Sequence, residues 1–225
     1  MKLIFLFAME EEAKILNTFC SNVKCINYKG FKLFEFTYNS HSCVAIISGI
    51  GISLSAGAAA LCIEKYNPDA IINIGLAGGV NCNLGDIIIA QTAIFHDANV
   101  TAFNYPIHQL PNLPLQITSH KDLIKDLNLK DFEIIKNAIV FSGNQFISNT
   151  QYVCELKNKY PNAAAIEMEA ASIAAICFKA QCSFLFIKKI SDLADEKAPD
   201  TFKSELPNFS TKTKEILLKI LSNLN

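Results

Sequence analysis

Short apolar runs alternate with amphipathic stretches along the chain. Residues 3–7 and 70–74, and the apolar-rich segment 183–190, are typical of buried strands in a parallel sheet. Residues 10–19 carry apolar side chains at helical spacing, and a second helix is predicted at 52–66. This alternation predicts an α/β sandwich around a mainly parallel or mixed sheet.

The remaining segments continue the alternation. Further strands are predicted within residues 23–48, 86–95, 132–141 and 163–166. Further helices are predicted at residues 119–130, 150–160, 168–178 and 199–225, the last broken near Pro207. Because the sequence contains no internal repeat, low-complexity tract or linker, we expect a single domain over residues 1–225.

Charge and cysteine usage narrow the function classes. The chain has 225 residues and a formal net charge of -1, and its largest basic cluster is the pair Lys188 and Lys189. This balance disfavours nucleic-acid binding. The eight cysteines form no CxxC pair and no histidine lies at ligand spacing, so no zinc site is expected. Cysteines within apolar runs suggest small core residues in a reducing cytosol.

Two apolar segments resemble membrane-directed sequences. The first nine residues resemble a signal peptide, but they run into three consecutive glutamates and lack the usual cleavage site, which favours a buried strand. Residues 45–63 carry no charge and have the length of a membrane span. Their three serines and three glycines divide them into a strand and a helix, so no membrane span is expected.

Acidic residues lie beside predicted strand ends. Glu167 and Glu169 stand between small apolar residues, at a strand-to-helix turn of the kind that often contacts ligands. Helix capping by these acids is an equally open reading. Glu12 lies within about one helical turn of the end of the first strand, and compensation of the helix dipole is its alternative role.

Other candidate groups also fall where strands end. The turns at residues 48–51 and 75–79 are rich in glycine, which lets backbone amides approach a polar ligand. The candidate positions are residues 9–12, 49–51, 75–79, 146, 167–169 and 192. Their convergence predicts a ligand cleft at one edge of the sheet. The irregular segment 101–118 would expose Phe103, so it needs a partner surface.

Seven short motifs resemble a known family when they are taken in order. They are AMEEE at 8–12, SGIG at 48–51, AGG at 77–79, VTAF at 100–103, QLP at 109–111, EMEA at 167–170 and ISD at 190–192. The chain resembles the 5′-methylthioadenosine/S-adenosylhomocysteine nucleosidases, within the purine nucleoside phosphorylase superfamily, from Met1 to about Leu221.

The resemblance implies a fold and an activity. It implies a three-layer α/β/α sandwich with a mixed, twisted central sheet, in a cytoplasmic homodimer. The implied reaction is hydrolysis of the N-glycosidic bond of thioether adenine nucleosides, releasing adenine. The implied partner is therefore a small-molecule nucleoside, with no metal or organic cofactor, no nucleic acid and no membrane.

The resemblance also implies roles for three carboxylates. Asp192 matches the general acid that protonates the departing adenine, although an N-cap aspartate is its alternative reading. Glu12 matches the general base that activates water on the other face of the sugar. Glu169 matches the group that binds the ribose hydroxyls and favours the positive charge that develops on the sugar.

The family's substrate contacts fall on further positions of this sequence. Met168 would lie under the ribose, Phe146 would stack on adenine, and the Ile147 backbone would bind the adenine edge. The remaining substrate-binding positions at this end are Ala77, Gly78, Ser191 and Glu167, with Glu167 also as a structural partner in its turn.

The tail of the nucleoside would meet apolar residues. Met9, Ile50 and Phe202 would line the pocket for the alkylthio group. Phe103 and Pro111 would enter from the neighbouring subunit. Core packing is the alternative reading for each apolar residue considered without the resemblance.

Three positions depart from the family pattern. Leu76 stands where the family usually has serine, Lys188 where it has arginine, and Asn144 where it has aspartate. Leucine offers no hydrogen bond there, and lysine lacks the two-pronged geometry of arginine. The machinery that activates water is therefore the part of the family pattern that matches least well.

Two alternatives follow from these departures. A related nucleosidase with another 5′-substituent, or a phosphorylase, would remain an enzyme. Phosphorolysis is disfavoured because phosphate sites commonly use arginine, and all twenty basic residues here are lysines. The second alternative is a nucleoside-binding protein with little turnover. It is suggested by Leu76, which stands where the family usually has serine.

Overall fold

The computed structural model describes residues 1–18, 21–38, 41–129 and 137–223. Within these ranges the strands are β1 (Leu3–Phe7), β2 (Ser21–Tyr28), β3 (Phe31–Tyr38), β4 (His41–Ile47), β5 (Ala70–Gly79), β6 (Ile87–Ala90), β7 (Thr92–Phe95), β8 (Ile117–Thr118), β9 (Ile139–Ser142), β10 (Ala163–Glu167) and β11 (Ser183–Asp192). The α-helices in the same ranges are α1 (Glu10–Ala13), α2 (Ile52–Tyr66), α3 (Leu123–Asp126), α4 (Thr150–Lys159), α5 (Ala170–Ala180), α6 (Ala198–Glu205) and α7 (Ser210–Ser222).

These strands pair into a mixed sheet. Its order is β2-β3-β4-β1-β5-β10-β9-β7-β8, and β11 pairs with β5 and with β6. β1 lies parallel to β4 and β5, and β11 is also parallel to β5. β10 runs antiparallel to β5 and pairs its Ile166 with Gly78. The mixed central sheet predicted for this chain is therefore confirmed.

Helices cover both faces of the sheet, as the side chains of β1 demonstrate. Leu3, Phe5 and Phe7 pack into one buried cluster with residues of α3 and α7. Ile4 and Leu6 point to the opposite face and pack with residues of α2 and α5. Because successive side chains of a strand alternate between faces, a strand covered on both sides is apolar throughout. The three-layer α/β/α arrangement is thus confirmed.

The predicted strand at 86–95 is two strands, and Gln91 separates them. β6 pairs with β11, whereas β7 pairs with β9, so the chain changes partner between them. The Gln91 side chain supports the break by accepting a hydrogen bond from the Leu123 amide at 2.6 Å and donating one to Asp122 at 3.1 Å. The partner change depends on distant strands, which apolar periodicity does not report.

Two predicted helices are shorter than expected. The segment 10–19 forms one α-turn, α1, followed by a 3-10 helix at Lys14–Thr18, and residue 19 lies outside the described ranges. In its described part, residues 119–129, the segment 119–130 contains only α3 as a helix. Asp122 caps its start by accepting from the Lys125 amide, and Asn128 takes a left-handed conformation with φ of 49° just after it. A left-handed residue commonly ends a helix.

Other predicted elements agree with the structure within a few residues. The two or three strands predicted within residues 23–48 are three, namely β2, β3 and β4, and the two-residue turn between β2 and β3 has positive φ at Lys29 and Gly30, as tight hairpins require. The predicted strand at 132–141 falls largely outside the described residues, and its described end is β9. The final helical region is broken near Pro207 as expected.

The uncharged window at residues 45–63 divides between β4 and α2, as its glycines and serines indicate. Within the described ranges, none of the helices combines the length and the apolar character that crossing a bilayer requires.

Candidate active site

A cavity of about 180 Å³ lies where β1, β10 and β11 end, beside the second half of β5. Its walls include every residue but two to which the family resemblance assigns a catalytic or substrate-binding role: Met9, Glu12, Ile50, Ala77, Gly78, Phe146, Ile147, Glu167, Met168, Glu169, Ser191, Asp192 and Phe202. Other members of the candidate segments do not line it, namely Glu10, Glu11, Gly49, Gly51, Gly75 and Gly79. Strand pairing explains the convergence, because Asp192 and Ile166 both pair with Gly78 in the middle layer. Segments far apart in sequence therefore meet around one short stretch of β5.

Glu12 is held by backbone amides from two segments. Its Oε2 accepts hydrogen bonds from the amides of Ala8 at 2.9 Å and Met9 at 3.1 Å, and its Oε1 accepts one from the amide of Leu76 at 3.0 Å. The side chain is buried against β5, where a Cβ on Gly75 would stand 2.7 Å from Oε1. Glycine at position 75 thus leaves the room that the Glu12 carboxylate occupies.

Asp192 ends β11 with its carboxylate turned inward. Oδ2 accepts from the Ser191 hydroxyl at 2.8 Å and Oδ1 accepts from the Ala194 amide at 2.9 Å. Asp192 is only 2% exposed, and a Cβ on Gly78 would lie 3.0 Å from Oδ1. The carboxylate is therefore fixed on the cavity wall and shielded from bulk water.

Glu167 and Glu169 differ in their partners although only one residue separates them. Glu167 accepts hydrogen bonds from the Ser142 hydroxyl, from the amides of Glu169 and Ala170, and from Lys188 Nζ at 2.7 Å. Among the described residues, the Glu169 carboxylate accepts one hydrogen bond, from the Gly51 amide at 2.8 Å. Glu169 therefore keeps acceptor capacity for a ligand.

Burial sets the protonation tendencies of the cavity acids. Burial raises the pKa of Glu12, against the nearby Lys188 charge and the three amides that favour its carboxylate. Burial likewise raises the pKa of Asp192, although the amide and hydroxyl that it accepts from favour the charged form. For Glu169, burial and then the neighbouring Glu167 carboxylate raise the pKa to about 8.

The buried ion pair behaves differently. Burial alone would favour neutral Glu167, but the Lys188 ammonium and the donated hydrogen bonds outweigh it and lower the pKa of Glu167. Burial also disfavours the Lys188 ammonium, yet the facing carboxylates of Glu167, Glu169 and Glu12 raise its pKa. The pKa values of the two glutamates on either side of Met168 thus shift in opposite directions. Glu167 is ionised, whereas Glu169 is inclined to hold a proton.

Aromatic and apolar side chains form the rest of the wall. Phe146 is 47% exposed and meets Phe202 edge to face, with ring centroids 5.8 Å apart. Met9, Ile50 and Met168 line the same cavity. A flat apolar group beside a cluster of acids suits a ligand that combines a planar base with a polar sugar.

Phe103 and Pro111 do not line the cavity of this chain. Phe103 is 76% exposed in a short 3-10 turn, and Pro111 is exposed on the same loop. His108 fastens this loop to the body, since its Nδ1 lies 3.2 Å from the Tyr160 hydroxyl and its amide bonds to the carbonyl of Ala98. The loop is therefore anchored while Phe103 points outward.

The three departures from the family pattern have different surroundings. Leu76 lines the cavity and packs in the same apolar cluster as Phe202, while its amide binds Glu12. Asn144 lies off the cavity wall and accepts a hydrogen bond from the Ile52 amide at 3.1 Å, which an amide oxygen does as well as a carboxylate. Lys188 makes its hydrogen bond to Glu167 and does not line the cavity.

Sequence reasoning missed some members of the site. Ala8, Gln145 and Ile166 line the cavity without having been named, although each lies inside or next to a motif that was named. Ser142 also contributes, because its hydroxyl binds Glu167 and accepts from the Ala171 amide at 2.8 Å. Its position at a strand end was the available signal.

The chain as a whole is similar to a known superfamily of proteins. The family model of the phosphorylase superfamily matches residues 2–222, which is nearly the whole chain. This is the superfamily that the ordered sequence motifs resemble.

Relatives and solved structures within that class are similar to the chain over nearly its whole length. The 5′-methylthioadenosine/S-adenosylhomocysteine nucleosidase of Glaesserella parasuis serovar 5 (strain SH0165) is 34% identical, across 99% of each chain. The solved nucleosidase of the same name from Neisseria meningitidis, in complex with methylthio-immucillin-A, has a TM-score of 0.91 at 31% identity, again across 99% of each chain. A futalosine hydrolase mutant of Helicobacter pylori strain 26695 has a TM-score of 0.92 at 25% identity, over 100% of both chains. The chain belongs to the 5′-methylthioadenosine/S-adenosylhomocysteine nucleosidase family.

Proposed function

We propose that this protein hydrolyses the N-glycosidic bond of 5′-methylthioadenosine and S-adenosylhomocysteine, releasing adenine and the thioribose product. One observation carries the proposal: the buried carboxylates of Glu12, Glu169 and Asp192 line one cavity in a member of this nucleosidase family. Cleavage of a glycosidic bond needs a proton donor for the leaving group and a base for the attacking water.

Asp192 is the proposed general acid. The bond from the sugar C1′ to the adenine nitrogen breaks, and the departing base takes the bond's electron pair together with the Asp192 proton. A donor must hold its proton near the working pH, and burial raises the pKa of Asp192 in that direction. The Ser191 hydroxyl and the Ala194 amide keep the carboxyl group aimed into the cavity.

Glu12 is the proposed general base. It would take a proton from the water whose oxygen forms the new bond to C1′. Three backbone amides fix its orientation, and Oε1 receives only one of them among the described residues, so this oxygen keeps room for water. An oriented base of this kind lowers the barrier mainly through geometry.

Glu169 is the proposed sugar-binding carboxylate. Its Oε1 accepts from the Gly51 amide, which leaves acceptor positions for ribose hydroxyls. Binding those hydroxyls would place the carboxyl oxygens near the positive charge that develops on the sugar, and that charge would favour the ionised form of Glu169. Met168, adjacent to it on the wall, is proposed to lie under the ribose.

The base and the tail are assigned to the apolar wall. Phe146 is proposed to stack on adenine, with the Ile147 backbone at its edge. Met9, Ile50 and Phe202 are proposed to enclose the alkylthio part of the tail, which supports a thioether substituent on the 5′ carbon.

Adenine release from 5′-methylthioadenosine, followed by ultraviolet absorbance in a coupled assay, tests the proposal. We expect turnover by the wild type and its loss in Asp192→Asn, with nucleoside binding retained in calorimetry. Asp195→Asn is the matched control, because Asp195 lies three residues further along, off the cavity wall. Near-normal turnover in Asp192→Asn would refute the assignment of the acid.

A second candidate is a nucleosidase that acts on futalosine, and the H. pylori futalosine hydrolase structure favours it. The same assay with futalosine distinguishes the two substrates. A rate that depends on added phosphate would instead support a phosphorylase, which the absence of arginine from the sequence disfavours. Nucleoside binding without adenine release at micromolar protein would support a binding protein.

We also propose a cytoplasmic homodimer in which Phe103 and Pro111 reach the neighbouring cavity. The exposed aromatic ring of Phe103, on an anchored loop, supports a partner surface there. The buried cysteines Cys62 and Cys177 are free thiols, which supports a reducing compartment.

A further inference from the structure

Lys188 is a buried cation beside the cavity, but it is not on the cavity wall. Its side chain is 1% exposed, and its Nζ lies 2.7 Å from Glu167 Oε2. The next lysine, Lys189, points to a different partner, Glu205. Lys188 therefore does not contact the cavity, and its nearest charged neighbours there are the carboxylates of Glu167, Glu169 and Glu12.

Glu167 has little capacity left for a ligand. An ionised carboxylate offers about four acceptor positions. Those of Glu167 receive the Ser142 hydroxyl, the amides of Glu169 and Ala170, and the Lys188 ammonium. The protein itself thus occupies this carboxylate, even though its residue lines the cavity.

The bonds of Glu167 fix the turn that carries Glu169. The amides of Glu169 and Ala170 stand at the start of α5, where a helix leaves its first amides without partners inside the helix. Glu167 satisfies both amides, at 3.1 and 3.0 Å. The direction of the Glu169 side chain, and so its distance from a sugar, depends on this turn.

We propose that Lys188 is a positioning residue that acts through Glu167: it keeps Glu167 ionised as the acceptor that holds the β10–α5 turn, and the turn sets Glu169 against the sugar. The proposal rests on the function proposed above. It also assigns Glu167 to support of the turn rather than to contact with substrate.

The surrounding charges explain why the ammonium matters. Three carboxylates face Lys188, namely Glu12, Glu167 and Glu169, and all are buried. Without the ammonium, Glu167 would take up a proton, and the protonated oxygen would become a donor and a much weaker acceptor for the amides. The turn would then lose a bond, and Glu169 would lose its placement.

A double-mutant cycle tests the proposal. The variants are Lys188→Met, Glu167→Gln and the pair combined, with Lys189→Met as the matched control from the same strand. We expect Lys188→Met to lower kcat/KM for 5′-methylthioadenosine by about a hundredfold. In the Glu167→Gln background the same change should cost less than about threefold, because the carboxylate that pairs directly with the ammonium has already been removed. Equal losses in both backgrounds would overturn the proposal.

The pH profile separates positioning from general damage. In Lys188→Met, raising the pH should ionise Glu167 again and recover activity, so the acidic limb of kcat/KM moves to higher pH. The double variant should lack this recovery. Lys188→Arg keeps the charge and should stay within about tenfold of wild type. A loss in Lys188→Met that is uniform at every pH would contradict the proposal.

Failure of the proposed function gives a different pattern. If the wild type releases no adenine, that function fails, and the cycle is then measured as the Kd of the nucleoside by calorimetry. Weaker binding in Lys188→Met but not in the Lys189→Met control would still support positioning. If the wild type turns over and Lys188→Met matches Lys189→Met, the positioning role is wrong while the function stands.

Discussion

Two glutamates in the EMEA motif share a chemistry but differ in surroundings. Glu167 is paired with Lys188 and saturated with donors, whereas Glu169 has one amide and a charged neighbour. The glutamate at position 167 is therefore ionised, whereas the pKa of the glutamate at position 169 is raised. The sequence indicated that both acids matter, but the division between them depends on Lys188, which lies 19 or more residues away in the chain.

The raised pKa of Glu169 should make the free energy of unfolding depend on pH. A carboxyl whose pKa is higher folded than unfolded stabilises the protein below about pH 4.5, and this contribution is lost as the pH rises toward about 8. In Glu169→Gln this part of the loss should vanish, so the unfolding free energy from urea titrations should vary less between pH 5 and pH 8.

The exposed glutamate of α2 provides the control for that experiment. Glu64→Gln should leave the wild-type pH dependence in place. Glu12 and Asp192 also have raised pKa values, so some slope remains in every variant. An unchanged slope in Glu169→Gln would contradict the assignment of a bound proton to Glu169.

Leu76 provides a test in which activity and stability should separate. Leu76→Ser replaces a buried apolar side chain by a hydroxyl and should cost about 2–4 kcal/mol in unfolding free energy. Activity on 5′-methylthioadenosine should stay the same or rise, because the hydroxyl adds a polar group beside Glu12. Leu84→Ser is the control, since Leu84 is an exposed leucine off the cavity wall. A loss of kcat/KM beyond tenfold in Leu76→Ser would show that leucine is required.

At the scale of elements, β5 is the strand around which the site assembles. It pairs with β1, β10 and β11, and its glycines allow carboxylates to approach its backbone. A Cβ at position 75 would lie 2.7 Å from Glu12 Oε1 and one at position 78 would lie 3.0 Å from Asp192 Oδ1. The glycines of this strand thus determine where the two proposed catalytic groups sit.

Gly75→Ala should damage activity more than stability. The new methyl group must displace the Glu12 carboxylate, and a displacement of about 1 Å can cost about a hundredfold in rate. Gly57→Ala is the matched control. Gly57 lies within α2, and a Cβ there would stand 3.6 Å from the Phe31 ring, which is an ordinary contact distance. The control should keep its activity and gain about 0.5–1 kcal/mol. Steady-state kinetics measure the activity of both variants and thermal unfolding measures their stability. Full activity in Gly75→Ala would contradict this account.

Apolar periodicity and helix-ending residues correctly predicted the elements whose bounds depend on neighbouring residues alone. α2 has its predicted bounds, and α4 ends one residue early, because a proline, Pro68 or Pro161, follows each helix pattern. The segment 86–95 was read as one strand because its two halves are equally apolar, and only their different partners separate them. The segment 119–130 kept a helical pattern that Asn128 ends by its backbone conformation.

At the scale of the molecule, the sheet order brings distant motifs into one cavity. Apolar strands and glycine-rich turns were enough to predict that strand ends would form a cleft. They were not enough to predict the inward placement of Lys188 or the role of Ser142, because both depend on pairing between strands far apart in sequence. The proposed homodimer belongs to this scale as well.

Phe103 tests the assembly. Sedimentation equilibrium should give twice the mass of the chain for the wild type. Phe103→Ala should raise KM for 5′-methylthioadenosine about tenfold if the ring covers the neighbouring cavity, since a buried aromatic contributes a few kcal/mol at most. Leu84→Ala, at another exposed apolar position, should leave KM unchanged. A monomeric wild type, or an unchanged KM in Phe103→Ala, would remove this part of the proposal.

A crystal structure with a bound 5′-methylthioadenosine analogue tests the central claim most directly. We expect the Asp192 carboxyl group within hydrogen-bond distance of adenine, Glu169 on the ribose hydroxyls, and a water between Glu12 and the sugar carbon. Adenine bound elsewhere, or Asp192 turned away from it, would contradict the account.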